Sequence, residues 1–179
     1  MKSYLHFLAV MLLCALSAGA ADVVTSSPTP LQENSENVII YFHADQGNKG
    51  MIGLPSTTEV YAHTGVITNL SKSDADWKHA PSKWGDNDPK YKLSYVSENL
   101  WSLSIGDMRT YYGLDEGETV KKIAFVFRTG DNKKEGKDVG GADILLPVME
   151  EGFHLSLTSD MPGLTVTPEK ETITFTIGA

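Results

Sequence analysis

Apolar and polar residues alternate along most of this chain with a period of two, the spacing that sends successive side chains to opposite faces of extended backbone. The pattern predicts strands at 38–42, 59–68, 91–96, 100–105, 120–128 and 143–148, each bounded by Gly, Pro, Asn, Asp or Ser. The clearest unit is YKLSYVSENLWSLSI. Leu93 and Tyr95 alternate with polar neighbours, Ser97, Glu98 and Asn99 turn the chain, and Trp101, Leu103 and Ile105 alternate with serines. This predicts a hairpin with one buried face. In KKIAFVFR the stretch 123–127 is almost continuously apolar, as expected of a central strand covered on both sides or packed on a partner sheet. No stretch carries a convincing helical period. Six strands of this length predict an all-β, immunoglobulin-like β-sandwich over 38–149.

The flanks read differently. Lys2, an apolar run from Tyr4 to Leu16, and Ala18, Gly19 and Ala20 form a signal-peptide pattern over 1–20, so the chain is expected to be exported to the periplasm, cell surface or medium. The run is shorter than the roughly 20 apolar residues of a spanning helix, and membrane insertion is not expected. The one cysteine, Cys14, lies inside this run behind Leu13, where a lipid-attachment signal carries a small residue. The mature chain must therefore rely on its core rather than on disulfides. Residues 21–37 are rich in Ser, Thr, Pro and Gln and predict a flexible leader. From 150 to 179 a new alternation begins, FHLSLTSD and LTVTPEKETITFTIGA around a turn at 161–163, which predicts the first strands of a second, truncated β-sandwich.

Charge narrows the partners. The chain has 15 basic and 23 acidic side chains, a formal net charge of −8, and no Lys/Arg cluster. Nucleic acid and anionic membrane surfaces are poor partners for such a chain. Catalytic signatures are equally thin. GDNKKEGKD departs from a phosphate loop in its glycine spacing and in Asp138, which follows Lys137 where Ser or Thr is needed. There is no GxSxG, HExxH or Cys pair. His43, His63, His79 and His154 lack the spacing of a zinc site on a helix, and a strand histidine with one hydrogen bond is the simpler reading for His43 and His63. Asp74 and Asp76, then Asp86, Asn87 and Asp88, supply oxygen atoms that calcium could use. Neither run has EF-hand spacing, and both suit turn capping.

The most informative segment is DWKHAPSKWGDNDPKY, a polar loop carrying Trp77, Trp84 and Tyr91. Sugar rings present flat C–H faces that stack on indole, and neighbouring polar groups can bind the hydroxyls. The loop therefore nominates Trp77 and Trp84 as stacking residues, Tyr61 or Tyr91 as flanking rings, and His79, Asp86 and Asn87 as hydrogen-bonding groups. The alternative is that both indoles fold back to plug the sandwich.

At VIIYFHADQGNKG, VYAHTGVIT, DWKHAPSKWGDNDPKYKL, IGDMRTYYGL and KKIAFVFRTGDNKKEGKD the chain resembles the N-terminal immunoglobulin-like domain of secreted bacterial α-amylases, over roughly 38–149. The resemblance implies a parent protein that handles starch or another α-glucan, with further β-domains and a (β/α)8 hydrolase barrel downstream. This chain carries neither the barrel strands nor its carboxylates. A glucan-binding module without catalysis, a spacer that packs on a downstream catalytic domain, and a hydrolase in its own right, with candidate carboxylates such as Asp74 and Asp86, are the three functional classes in play.

Overall fold

A computed structural model describes residues 22–81 and 83–150. The expected signal peptide and, apart from Glu150, the expected second β-domain lie outside the described residues. The elements are β1 (Val24–Ser27), β2 (Val38–His43), β3 (Val60–Thr68), β4 (Ser94–Ser97), β5 (Leu100–Gly106), α1 (Met108–Tyr112), β6 (Val120–Thr129), β7 (Glu135–Gly136) and β8 (Ile144–Pro147). They build two antiparallel sheets, one in the order β1-β2-β5-β4, the other with β3 and β6 paired and both β7 and β8 on the far edge of β6. This is an all-β sandwich. Among the described residues no helix is long and apolar enough to cross a membrane.

The period-two pattern decides which faces meet. Val38, Ile40 and Phe42 of β2 and Trp101, Leu103 and Ile105 of β5 point inward from the first sheet. Val60, Ala62 and Val66 of β3 and Ile123, Phe125 and Phe127 of β6 answer them from the second. The sheets are riveted where Phe42 stacks on Phe127, ring centres 4.1 Å apart and 21° from parallel, and Phe127 continues the stack to Phe125 at 5.5 Å. Each such ring contributes about 1.5–3 kcal/mol by leaving water. Thr64 is a polar exception on the inner face. Its hydroxyl donates to the Ala124 carbonyl and pairs with the Tyr112 hydroxyl, both at 2.8 Å, so it is buried without loss.

Two elements depart from the expected pattern. The segment expected to be a flexible leader supplies β1, which pairs with β2 from Val24 opposite Phe42 to Ser27 opposite Ile39. Val23, Val24 and Leu31 are buried. An edge strand needs only backbone groups and a few anchoring side chains, so three apolar residues suffice where no periodicity is visible. The turn expected at MRTYYGL is α1, a single turn capped by the Asp107 carboxylate on the Thr110 amide at 2.7 Å and closed by Gly113 in the left-handed region. One turn is too short to display a period.

Gly136 of β7 lies beneath the aromatic rivet, where an added Cβ would stand 2.4 Å from Cζ of Phe42 and 3.1 Å from Sδ of Met51. Gly136→Ala is therefore expected to destabilise the fold by about 1–3 kcal/mol through overpacking. Urea denaturation should show a lowered midpoint with an unchanged slope.

Candidate functional site

β6 is buried on both faces: inward by the first sheet, and outward, together with β3, by the loop of residues 69–92. The loop first extends the edge of β3, where the Val66 and Lys78 backbones exchange hydrogen bonds of 2.9 and 2.7 Å. It then crosses the outer face at Gly65, a position where a Cβ would meet the Lys78 carbonyl at 2.8 Å and the Ala80 methyl at 2.9 Å. Trp77, just before this crossing, and Trp84, after it, both pack on His63, which projects outward from β3.

Their geometry is specific. The His63 ring meets Trp84 edge-on, centres 5.0 Å apart at 62°, and Trp77 at 6.0 Å and 30°. Because the two indoles tilt differently to one imidazole, their own planes cannot be parallel. Trp77 is half-buried, whereas Trp84 keeps 44 % of its surface exposed. The plug alternative therefore fails for Trp84.

Arg128 staples the far end of this loop. It stands opposite Tyr61 in the β3–β6 ladder and is 2 % exposed. Its guanidinium donates to the Asn87 side-chain oxygen at 2.8 Å, the Asp86 carbonyl and the Thr129 carbonyl at 3.3 Å, and lies 5.2 Å from the centre of the Tyr61 ring. Asn87 in turn donates to the Gly130 carbonyl at 3.1 Å. At the other end His79 bonds the buried Glu118 carboxylate at 2.7 Å, and Glu118 also accepts from the Asp115 amide at 3.0 Å and the Thr68 hydroxyl at 3.3 Å.

The seven nominated residues thus separate. Trp77 and Trp84 come together, with Asp86 and Asn87 following directly in the loop and exposed. Tyr61 is 4 % exposed beneath Arg128 and Lys92, so it cannot flank a ligand. Tyr91 packs edge-on against Tyr111, 6.0 Å away, in a separate tyrosine group. His79 serves as an anchor through Glu118. Of the four histidines, His43 fits the satisfied-strand reading, 3.0 Å from the Thr25 hydroxyl. His63 does not fit it, because its ring packs against both indoles. The oxygen-rich runs do not converge either. Asp74 pairs with Lys122 at 2.7 Å, Asp76 accepts from the Lys72 amide and Lys78, and Asp88 caps the Lys90 amide. Among the described residues no three His, Cys, Asp or Glu side chains gather as a metal-binding group.

No family model matches the chain, and no curated protein matches it.

Two predictions test this construction. Burial beneath the indoles lowers the pKa of His63, Arg128 adds to the effect, and Asp143 opposes it. The folded state thus holds fewer protons than the unfolded chain, whose imidazole titrates near 6.5. The associated stability is complete above that pH and is lost as the pH falls through the lowered folded value. Thermal melts from pH 7.5 downward should show this loss, and His63→Gln should flatten it; an equally steep decline in the variant would contradict the assignment. Arg128→Met keeps bulk but leaves the Asp86 and Asn87 carbonyls without their donor. It should cost about 1–3 kcal/mol in chemical denaturation.

Proposed function

We propose that this chain is a non-catalytic accessory module of a secreted α-amylase-like protein, and that it binds α-glucan through Trp84 and Trp77. The observation that carries this reading is the pair of inclined indoles around His63, one of them open to solvent. A flat β-linked chain stacks best on coplanar rings. An α-linked glucan curves, so successive sugar faces turn away from one another and suit rings set at an angle. Asp86 and Asn87 supply acceptors and donors beside the indoles for the hydroxyls. The motif resemblance to amylase N-terminal domains points to the same ligand class.

The spacer reading asks that loop aromatics be spent on packing, and the exposure of Trp84 weighs against it. For hydrolysis two carboxylates must face each other across a cleft. Asp74 is engaged by Lys122, and the Asp86 backbone is held by Arg128 at the opposite end of the loop.

The test is retention of the chain lacking residues 1–20 on insoluble starch, with cellulose alongside. Wild type should be retained on starch selectively. Trp84→Ala should weaken retention by roughly tenfold or more, about 1.4 kcal/mol, with its circular dichroism and melting unchanged. Equal retention by a folded variant would overturn the assignment, and so would wild type that ignores starch.

A further inference from the structure

The aromatic loop does not stand alone on its surface. Gly85, next to Trp84, adopts φ 84° and lies against Asn132; a Cβ there would be 2.9 Å from the Asn132 amide nitrogen. Asn132 is itself held in the left-handed region at φ 59°, at the tip of the β6–β7 hairpin. Asn87 adds a second tie, to the Gly130 carbonyl at 3.1 Å. The loop and the hairpin tip are therefore one continuous surface. The hairpin residues on either side of Asn132 also wall a groove of about 410 Å³, completed by Leu54, Thr58 and Glu59 from the segment that enters β3. The volume falls in the range of small-molecule sites.

The groove's polar groups are held in place before any ligand arrives. Asp131 accepts from the Thr129 hydroxyl at 2.6 Å and the Lys133 amide at 3.2 Å. Glu59 is paired with Lys92 at 2.6 Å, and its backbone carbonyl holds the Gly130 amide at 2.8 Å. Lys134 and the Thr58 hydroxyl add donors, and Leu54 gives an apolar wall. Fixed acceptors beside donors, over one apolar wall, match a sugar residue, which presents hydroxyls of both kinds around a C–H face.

We propose that this groove is a second glucan subsite, reached by the same chain that stacks on Trp84, so that the module reads chain length as well as sugar type. The proposal rests on the α-glucan reading of the indoles and extends it. A chain leaving Trp84 passes over Gly85 and Asn132, whose close approach the glycine permits, and enters between the hairpin and Thr58.

Isothermal titration of the mature chain with maltotriose and maltoheptaose separates the two claims. Wild type should bind maltoheptaose at least tenfold more tightly than maltotriose. Thr58→Trp, which fills the groove, and the exposed pair Lys133→Ala/Lys134→Ala should each keep the maltotriose affinity and lose most of the gain from length. The lysine variants change only exposed side chains, so they guard against a folding defect in the first. Equal wild-type affinity for the two sugars, or a full gain retained in both variants, would overturn the subsite while leaving the Trp84 reading intact. If neither sugar binds wild type, the α-glucan reading falls and the subsite with it.

Discussion

Burial of β6 on both faces is the constraint around which the rest is arranged. Its inward residues Ile123, Phe125 and Phe127 require the first sheet, and its outward residues Ala124, Val126 and Arg128 require the loop of residues 69–92. A strand sealed on one side only would leave Val126 and its neighbour His63 in water. The loop that carries the tryptophans is thus part of the solvent-excluding structure, and the same packing that closes the second face presents Trp84 at its rim. Arg128 joins these demands. A guanidinium at 2 % exposure has lost its water and must find replacements, and the Asp86 and Asn87 oxygens are the replacements it finds. Fixing a loop end is the structural by-product of satisfying a buried charge.

How far the sequence announces this can be traced residue by residue. The pairing of the hairpin at 94–106 was readable because alternation and a turn residue agree: Asn99 takes φ 59° where the chain reverses, a conformation asparagine tolerates. The expected buried face holds for Trp101, Leu103 and Ile105 but not for Tyr95, which stays exposed because β4 is an edge strand. The apolar run of β6 predicted a central strand covered on both sides or packed on a partner sheet, and β6 both packs on the first sheet and has its other face buried. What alternation cannot say is what does the covering. Tyr61 and His63 occupy equivalent outward positions on β3, yet Arg128 roofs the first and the indoles pack on the second, because the roof comes from a loop and a neighbouring strand that lie at least 14 positions away in sequence. His79 was equally opaque. Its partner Glu118 is 39 residues on, and only the tertiary fold makes it an anchor rather than a ligand-facing group. β1 shows the complementary failure, since pairing with a free edge is a backbone property that side-chain patterns do not record.

The concentration of tryptophan with Asp, Asn and Lys in one polar loop singled out a segment whose residues Trp77 and Trp84 both pack on His63 and whose Asp86 and Asn87 are exposed beside them. The contribution of the hairpin tip was invisible, because Gly130, Asp131 and Asn132 look like an ordinary turn until Gly85 brings the loop against them.

The strand pairings also set where the two ends of the described chain leave. Val24 lies level with Phe42 and so with Phe127, whereas Val148 lies level with Lys121, six residues earlier along the same strand. At about 3.3 Å per residue, the entering and departing chain are separated by roughly 20 Å along β6. The described chain therefore enters and leaves at opposite ends of one edge of the sandwich, where β1 and β8 lie side by side. Tension applied at the two ends would pull along these strands, while the indole face stands to one side of the load.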